Sequence, residues 1–319
     1  MKEILKYLET GVKYDIKEIF NPPSNRNDSI QYLLFTPENP HNALYIEPTE
    51  NCNHTLFNRS CGVIFITHGY LTRLGPGNIF EKIKDAILAT GCYNIIILNW
   101  FPYAVPPYAL AIVNTLLVGN KVAEMIQCII NRTGIPADRF HLIGHSLGAH
   151  LFGIVGKNIP NIGRLSGEGL GLYQSIGWSD FFPNGGNHQP HCQKGNVFDR
   201  PDGTNLKLET FLDLAVCNHE ISLQYFLYSI QNCTFLGTEC ESYSDLENCR
   251  SESKSTAIMG FFIMVLRFYR IVEPYETSFR YPVALNSPID IEQITQQSTF
   301  FQEENRYALT QNHHLVPLS

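Results

Sequence analysis

"FHLIGHSLGAH", residues 140–150, is the stretch on which the reading of the chain turns. A mostly apolar run leads into Gly144-His145-Ser146-Leu147-Gly148, and apolar residues at helical spacing follow at once. A G-x-S-x-G order between a buried strand and a helix marks a sharp turn that lifts the serine hydroxyl above the sheet. The flanking glycines let strand and helix approach closely. Such a turn holds the serine in strained backbone geometry. The helix N-terminus behind it favours negative charge developing on a reacting carbonyl. The five-residue pattern alone also fits an ordinary tight turn. The strand before it and the helix after it make Ser146 a candidate nucleophile.

The same alternation runs outward on the N-terminal side. "IQYLLFTP" (30–37) reads as a first strand ended by Pro37, and a polar loop follows. "GVIFITHG" (62–69) and "YNIIILNW" (93–100) are continuous apolar runs, as strands buried on both faces require. Between and after them, 78–91 and 109–134 have helical spacing and end at Gly91 and Gly134. "RFHLIGHS" (139–146) is the third buried strand, and 147–159 the helix leaving it. Strand and helix in strict alternation predict an α/β fold: a mostly parallel central sheet with helices on both faces.

Composition narrows the function. The chain has 319 residues, 44 % of them hydrophobic, and a net charge of −7. Its 23 Lys and Arg form no basic run, so nucleic acid is not an expected partner. Nine cysteines and five Asn-X-Ser/Thr sequons (Asn27, Asn53, Asn58, Asn131, Asn232) point to a secretory route. Several cysteines lie at short spacing, as Cys52/Cys61, Cys192/Cys217 and Cys233/Cys240/Cys249. None has zinc-like spacing, so disulfides are expected, with one thiol left over or its partner missing from this sequence, and neither metal nor cofactor. The first residues, "MKEILKYLETGVKYDIKEIF", have no apolar core of the kind a signal peptide needs, so the extracellular expectation implies a start not visible here. No run is read as reaching transmembrane length; "AIMGFFIMVL" (257–266) reads as a buried strand or helix edge.

"FITHGYLT" (65–72) supplies a second part of the site. A His-Gly pair at the end of an earlier strand can present a backbone N–H opposite the serine. The oxyanion hole is therefore assigned to the N–H groups of Tyr70 and Leu147. Taken alone, the pair would also serve as a strand-ending turn.

"THGY", "IILNW", "HLIGHSLGAH", "IGWSDFFPNGG" and "CNHEISLQYFLYSI" before "MGFF" together resemble the pancreatic lipase family of α/β-hydrolases, in particular its arthropod-type neutral lipases and phospholipases A1. The resemblance spans about residues 30–265. An N-terminal extension (1–29) precedes it and a poorly matching tail (266–319) follows, without the family's C-terminal lipid-binding sandwich. It implies a secreted, monomeric carboxylic ester hydrolase that works on lipid at an interface through an acyl-enzyme. Ser146 is then the nucleophile and His219 the general base. The stretch from Cys192 to Cys217 is then a lid closed by a disulfide. Its 24 intervening residues make it longer than the stub of venom phospholipases. His145, His150, His188 and His191 fit no catalytic slot.

One stretch departs from the family. There the strand after the serine ends Gly-Leu-Asp-Pro-Ala, whose Asp is the triad acid; a loop and a further strand follow. Here "GRLSG" (163–167) runs straight into "EGLGLYQSIGWSDFFPNGG". The acid, the loop with the metal ligands of some members, and the next strand are absent. Two local carboxylates are substitutes to weigh: Glu168 at the junction, and Asp180, which stands between Ser146 and His219 in chain order. The alternative to an enzyme is an impaired or non-enzymatic lipid-binding relative of yolk-protein type. Retention of Ser146 and His219 speaks for enzymatic ancestry; the missing acid speaks against activity.

Overall fold

The computed structural model describes residues 30–48, 52, 56–168, 180–185, 189–193, 208–231, 233–239, 256–262, 264–266 and 282–285. The 1–29 extension, the junction-following segment 169–179, His188, lid residues 194–207, Cys240, Cys249, the sequons at Asn27, Asn53 and Asn232, and most of the 266–319 tail lie outside the described residues. The rest divides into two compact units: one holds residues up to Leu170 together with His219–Leu227, the other the remainder.

In the first unit the apolar runs become strands close to the expected places. β1 is Gln31–Phe35, β2 Leu44–Ile46, β3 Gly62–Thr67, β4 Tyr93–Asn99, β5 Phe140–His145 and β6 Arg164–Glu168. Their order across the sheet is β2-β1-β4-β3-β5-β6. β4, β3, β5 and β6 are mutually parallel, and β1 joins antiparallel to both β2 and β4. β2 falls in the polar loop after Pro37, where a three-residue strand leaves too little alternation to read. Helix α1 (Ile79–Thr90) follows β3, α2 (Tyr108–Thr133) follows β4 and α3 (Leu147–Asn158) follows β5, and helices cover both faces. Asn78 caps α1, its side chain accepting from the N–H groups of Phe80 and Glu81. Gly134 ends α2 in a left-handed conformation, φ 75°.

Val63, Phe65, Leu142 and Phe140 of the strands pack with Val118, Val122, Ile126 and Ile129 of α2 and with Leu151, Phe152 and Val155 of α3. α2 corrects one expectation. At 26 residues it is long and apolar enough to cross a membrane. Its buried face is part of this core, which accounts for the apolar residues on that face.

Two disulfides tie this unit, Cys52–Cys128 and Cys61–Cys92. Cys52 and Cys61, close in sequence, are thus not partners of each other. The register explains the second bond. Gly62 pairs with Tyr93 at the start of β3 and β4, so the residues just before them face each other across adjacent parallel strands.

The second unit has its own sheet, ordered β10-β9-β8-β11-β7. Its strands are β7 (Asp180–Phe182), β8 (Phe235–Glu239), β9 (Thr256–Met259), β10 (Met264–Leu266) and β11 (Pro282–Leu285). The run 257–266 therefore takes in the end of β9 and all of β10, two short strands rather than one, and β11 gives the tail a place in a sheet. Cys192 and Cys217 are bonded, with Cα atoms 5.8 Å apart. Cys233 forms no disulfide with any described residue. Helix α4 spans Leu208–Ile230, so the C-terminal third of the stretch read as a loop is helical. Leu208, Phe211, Leu212 and Ala215 stand at helical spacing in the sequence, a signal masked by the polar residues before them.

Candidate active site

The turn between β5 and α3 is built as the glycines require. Ser146 has φ 57° and ψ −125°, a conformation L-residues rarely adopt and one expected of a nucleophile at a strand-to-helix elbow. Its N–H donates to the carbonyl of Glu168 on the neighbouring strand (2.9 Å). A β-carbon on Gly148 would lie 2.5 Å from the His68 carbonyl oxygen. Only a glycine lets α3 come this near the end of β3. Leu147, the first residue of α3, is buried, and the first N–H groups of a helix have no intrahelical acceptor.

The turn after β3 runs beside the serine. A β-carbon on Gly69 would be 2.5 Å from Ser146 Cβ and 3.0 Å from its Oγ. This brings the chain immediately before Tyr70 against the hydroxyl. The turn is held from below. His68 is fully buried; the Trp100 N–H donates to its Nε2 (3.2 Å), so the proton sits on Nδ1 and is donated to the Gly69 carbonyl (2.9 Å). The Trp100 indole N–H donates to the His68 carbonyl (2.9 Å). Leu71, at φ 57°, donates its N–H to the Ala104 carbonyl (2.8 Å). Asn99, where the family often has Asp, uses both ends of its amide: it donates to Gln31 Oε1 (2.8 Å) and accepts from the Phe101 N–H (3.2 Å). An Asp could not make the first bond.

Gly69→Ala tests this contact. The added methyl must displace Ser146 or its own turn, so ester turnover is expected to fall at least about tenfold, with a stability loss of about 1–3 kcal/mol. Wild-type turnover in the Gly69→Ala protein would mean that the turn does not border the reacting hydroxyl.

His219 lies on α4 within the same unit as Ser146. Its ring packs on that of His145, the residue before the serine, at 4.5 Å between centroids and 33° between planes. His145 Nε2 is 3.4 Å from the His219 carbonyl oxygen, which also accepts from Ser222 Oγ (3.0 Å). Burial lowers the pKa of His219. Burial, with the His219 and His68 imidazoles nearby, pushes His145 down to about 3. Burial takes His68 to about 4. All three rings are thus biased toward the neutral form. For a base that must accept a proton, this is the useful state. His145 has no sequence signal beyond the variable place in G-x-S-x-G, and its contact with His219 joins residues 74 apart.

β6 is the outer strand of the described sheet. Its register sets Gly144 opposite Gly167 and His145 opposite Glu168. Burial raises the Glu168 carboxyl to about 8, against a smaller opposing pull from Arg164. At neutral pH it is therefore mostly protonated and poorly suited to orient a positive imidazole. A carboxyl with a raised folded-state pKa binds its proton more tightly in the folded chain. Stability then falls as pH rises from about 4.5 toward about 8. Glu168→Gln stays neutral throughout. Its stability relative to wild type should be unchanged near pH 4.5 and rise by a few kcal/mol, in order of magnitude, above about pH 8. Urea unfolding at both pH values checks this; a difference that does not grow with pH refutes it. Asp180 begins β7 in the second unit. The described residues contain no cluster of His, Cys, Asp and Glu suited to a metal.

Sequence comparison matches the model of the family described as Lipase to this chain in two stretches, residues 8–168 and 164–268. The chain belongs to the lipase family. Among its relatives, pancreatic lipase-related protein 2 of Myocastor coypus is 29 % identical over 268 residues, covering 71 % of this chain and 57 % of that protein. Pancreatic triacylglycerol lipase of the same animal is 30 % identical over 271 residues, 72 % of this chain and 59 % of that one. Inactive pancreatic lipase-related protein 1 of Homo sapiens is 28 % identical over 268 residues, 71 % and 57 %. The chain thus spans under three fifths of the length of the curated relatives it matches, and these include proteins named as lipases and two named inactive. Membership in the pancreatic-lipase group agrees with the mostly parallel sheet and the elbow.

Proposed function

We propose that this protein is a secreted carboxylic ester hydrolase of lipids, a triacylglycerol lipase or phospholipase A1, impaired by loss of its triad acid. The observation that carries the reading is Ser146 at φ 57° on the strand-to-helix turn with Gly69 packed against it. In this reading Ser146 Oγ attacks the ester carbonyl and its proton passes to the neutral imidazole of His219. The N–H groups of Tyr70 and Leu147 hold the oxyanion. The imidazolium returns the proton to the leaving alcohol, and water then releases the acid from the acyl-serine. The bonded pair Cys192–Cys217 bounds the lid.

The junction supports the impairment. The family's match breaks into two stretches that meet at residues 164–168, where Gly-Leu-Asp-Pro-Ala and the following strand are missing from the sequence. Asp180 is one carboxylate that stands between Ser146 and His219 in chain order, as a triad acid would. A non-enzymatic lipid-binding role is the second reading, favoured by that gap and by the resemblance to a relative named inactive.

An active-site-directed phosphonate separates the two. Covalent labelling mapped to Ser146 by peptide mass spectrometry, and blocked in the unfolded protein, is expected of the hydrolase. Absence of label on Ser146 in the folded protein would leave the binding role.

A further inference from the structure

Helix α2 is apolar on the outside as well as the inside, but only at one end. Residues 101–120 contain no charged side chain. Within them Ile112, Val113, Leu116 and Leu117 are 46, 65, 56 and 46 % exposed. They stand at i, i+1, i+4 and i+5, which makes one continuous strip on the helix surface. The opposite face, Ala111, Thr115, Val118 and Val122, is buried. From Asn120 onward the exposed face becomes polar, with Lys121, Glu124, Gln127 and Asn131. The core accounts for the buried face and gives no reason for four exposed aliphatics.

Their place in the fold is specific. α2 leaves the carboxyl end of β4 at Asn99 and returns to the start of β5 at Phe140, so its N-terminal turns lie at the sheet edge where β5 ends in Ser146. The two are linked by contact. Gly69 abuts Ser146, and the next residue, Tyr70, packs edge-on against Tyr108, the first residue of α2, at 4.9 Å between ring centroids. The strip begins one turn beyond Tyr108 and ends about 14 Å along the helix.

We infer that the exposed strip Ile112-Val113-Leu116-Leu117 is a docking surface for a neutral lipid phase, seating the Ser146 edge of the sheet on zwitterionic or uncharged lipid. The inference rests on the lipid-ester reading of the site. Three features select this occupant. The strip is aliphatic and lacks the Arg, Trp and Tyr that anchor protein–protein contacts. It shares an edge with a site whose proposed substrate is held in a lipid aggregate. The chain's net charge of −7 disfavours anionic membranes, whereas an uncharged strip has no penalty at a neutral surface.

The test uses the Ser146→Ala protein, so that binding is read without turnover, and Val113→Gln/Leu116→Gln added to it. Flotation with phosphatidylcholine vesicles and with a triacylglycerol emulsion should show at least about a tenfold loss of partitioning, at unchanged melting temperature. Ile112→Gln/Leu117→Gln is a second pair should the first not fold, and Val113→Leu/Leu116→Met should bind as the parent does. With Ser146 present, the Gln pairs should hydrolyse a soluble short-chain ester at the parent rate. The proposal is overturned if the parent does not bind either lipid, or if both Gln pairs bind as the parent does. It is also overturned if the Gln pairs only convert a dimer to monomer in sedimentation velocity, which would make the strip an interface between two copies. Failure of the hydrolase reading shows separately, as no labelling of Ser146 and no soluble-ester turnover, while flotation remains informative.

Discussion

Insertion of Gly-Leu-Asp-Pro-Ala and its following strand at the Gly167–Glu168 junction is expected to raise ester hydrolysis by about four orders of magnitude. The size follows from chemistry. A carboxylate behind the base histidine fixes its tautomer and stabilises the imidazolium, and its removal alone costs on the order of 10⁴ in turnover. The position follows from the sheet. Gly167 pairs with Gly144 on β5, and Ser146 lies two residues beyond Gly144. The Asp of the insert, three residues beyond Gly167, would therefore end its strand one residue past the level of the serine and one strand away. The added strand would also cover β6, now the outer strand of the described sheet, whose exposed Leu165 is the kind of edge that folded proteins protect. The comparison is of initial rates on a soluble short-chain ester, with circular dichroism to show that both chains fold. A restored chain that folds and is no faster would refute the claim that the missing segment limits activity.

Ser146→Ala should remove the remaining turnover, and the size of the loss reports the state of the site. Catalytic groups that act as a unit are strongly non-additive. In a complete triad, loss of the serine costs on the order of 10⁶; in a triad without its acid, only about 10² remains to be lost, because the oxyanion hole and substrate binding persist. The present chain should therefore lose about 10² on Ser146→Ala, and the restored chain about 10⁶. A loss near 10⁶ in the present chain would mean that a carboxylate already serves His219, with Asp180 the first to substitute. An unchanged rate would mean that the activity comes from elsewhere.

These two results separate what is inherited from what is lost. The elbow, the Gly69 turn and the His145–His219 contact all lie in the first unit, on residues that precede the junction or follow Cys217. The bonds from Trp100 to His68 and from Leu71 to Ala104 connect segments upstream of Gly167, and the Ser146 N–H donates to Glu168, the first residue beyond it. The ring of His219 lies against that of His145, and its carbonyl accepts from Ser222 Oγ.

The amino-acid sequence by itself determined the parts of this protein that depend on neighbours along the chain. Continuous apolar runs at 62–67, 93–99 and 140–145 can only be strands covered on both faces. Glycines at 144 and 148 around Ser146 define the elbow, and Asn78 and Gly134 mark helix ends. These are local signals, each written within a few residues. Where the signal was short or diluted it was lost, as with β2 and with the first turns of α4. Only the tertiary structure decided what depends on approach through space. Cys61 meets Cys92 because β3 and β4 lie side by side in register. Cys52 finds Cys128 across 76 residues. His145 meets the ring and the carbonyl of a residue 74 positions away. Packing against the sheet decided which face of the first turns of α2 is buried, and hydrophobic periodicity cannot reveal apolar residues that packing leaves in water.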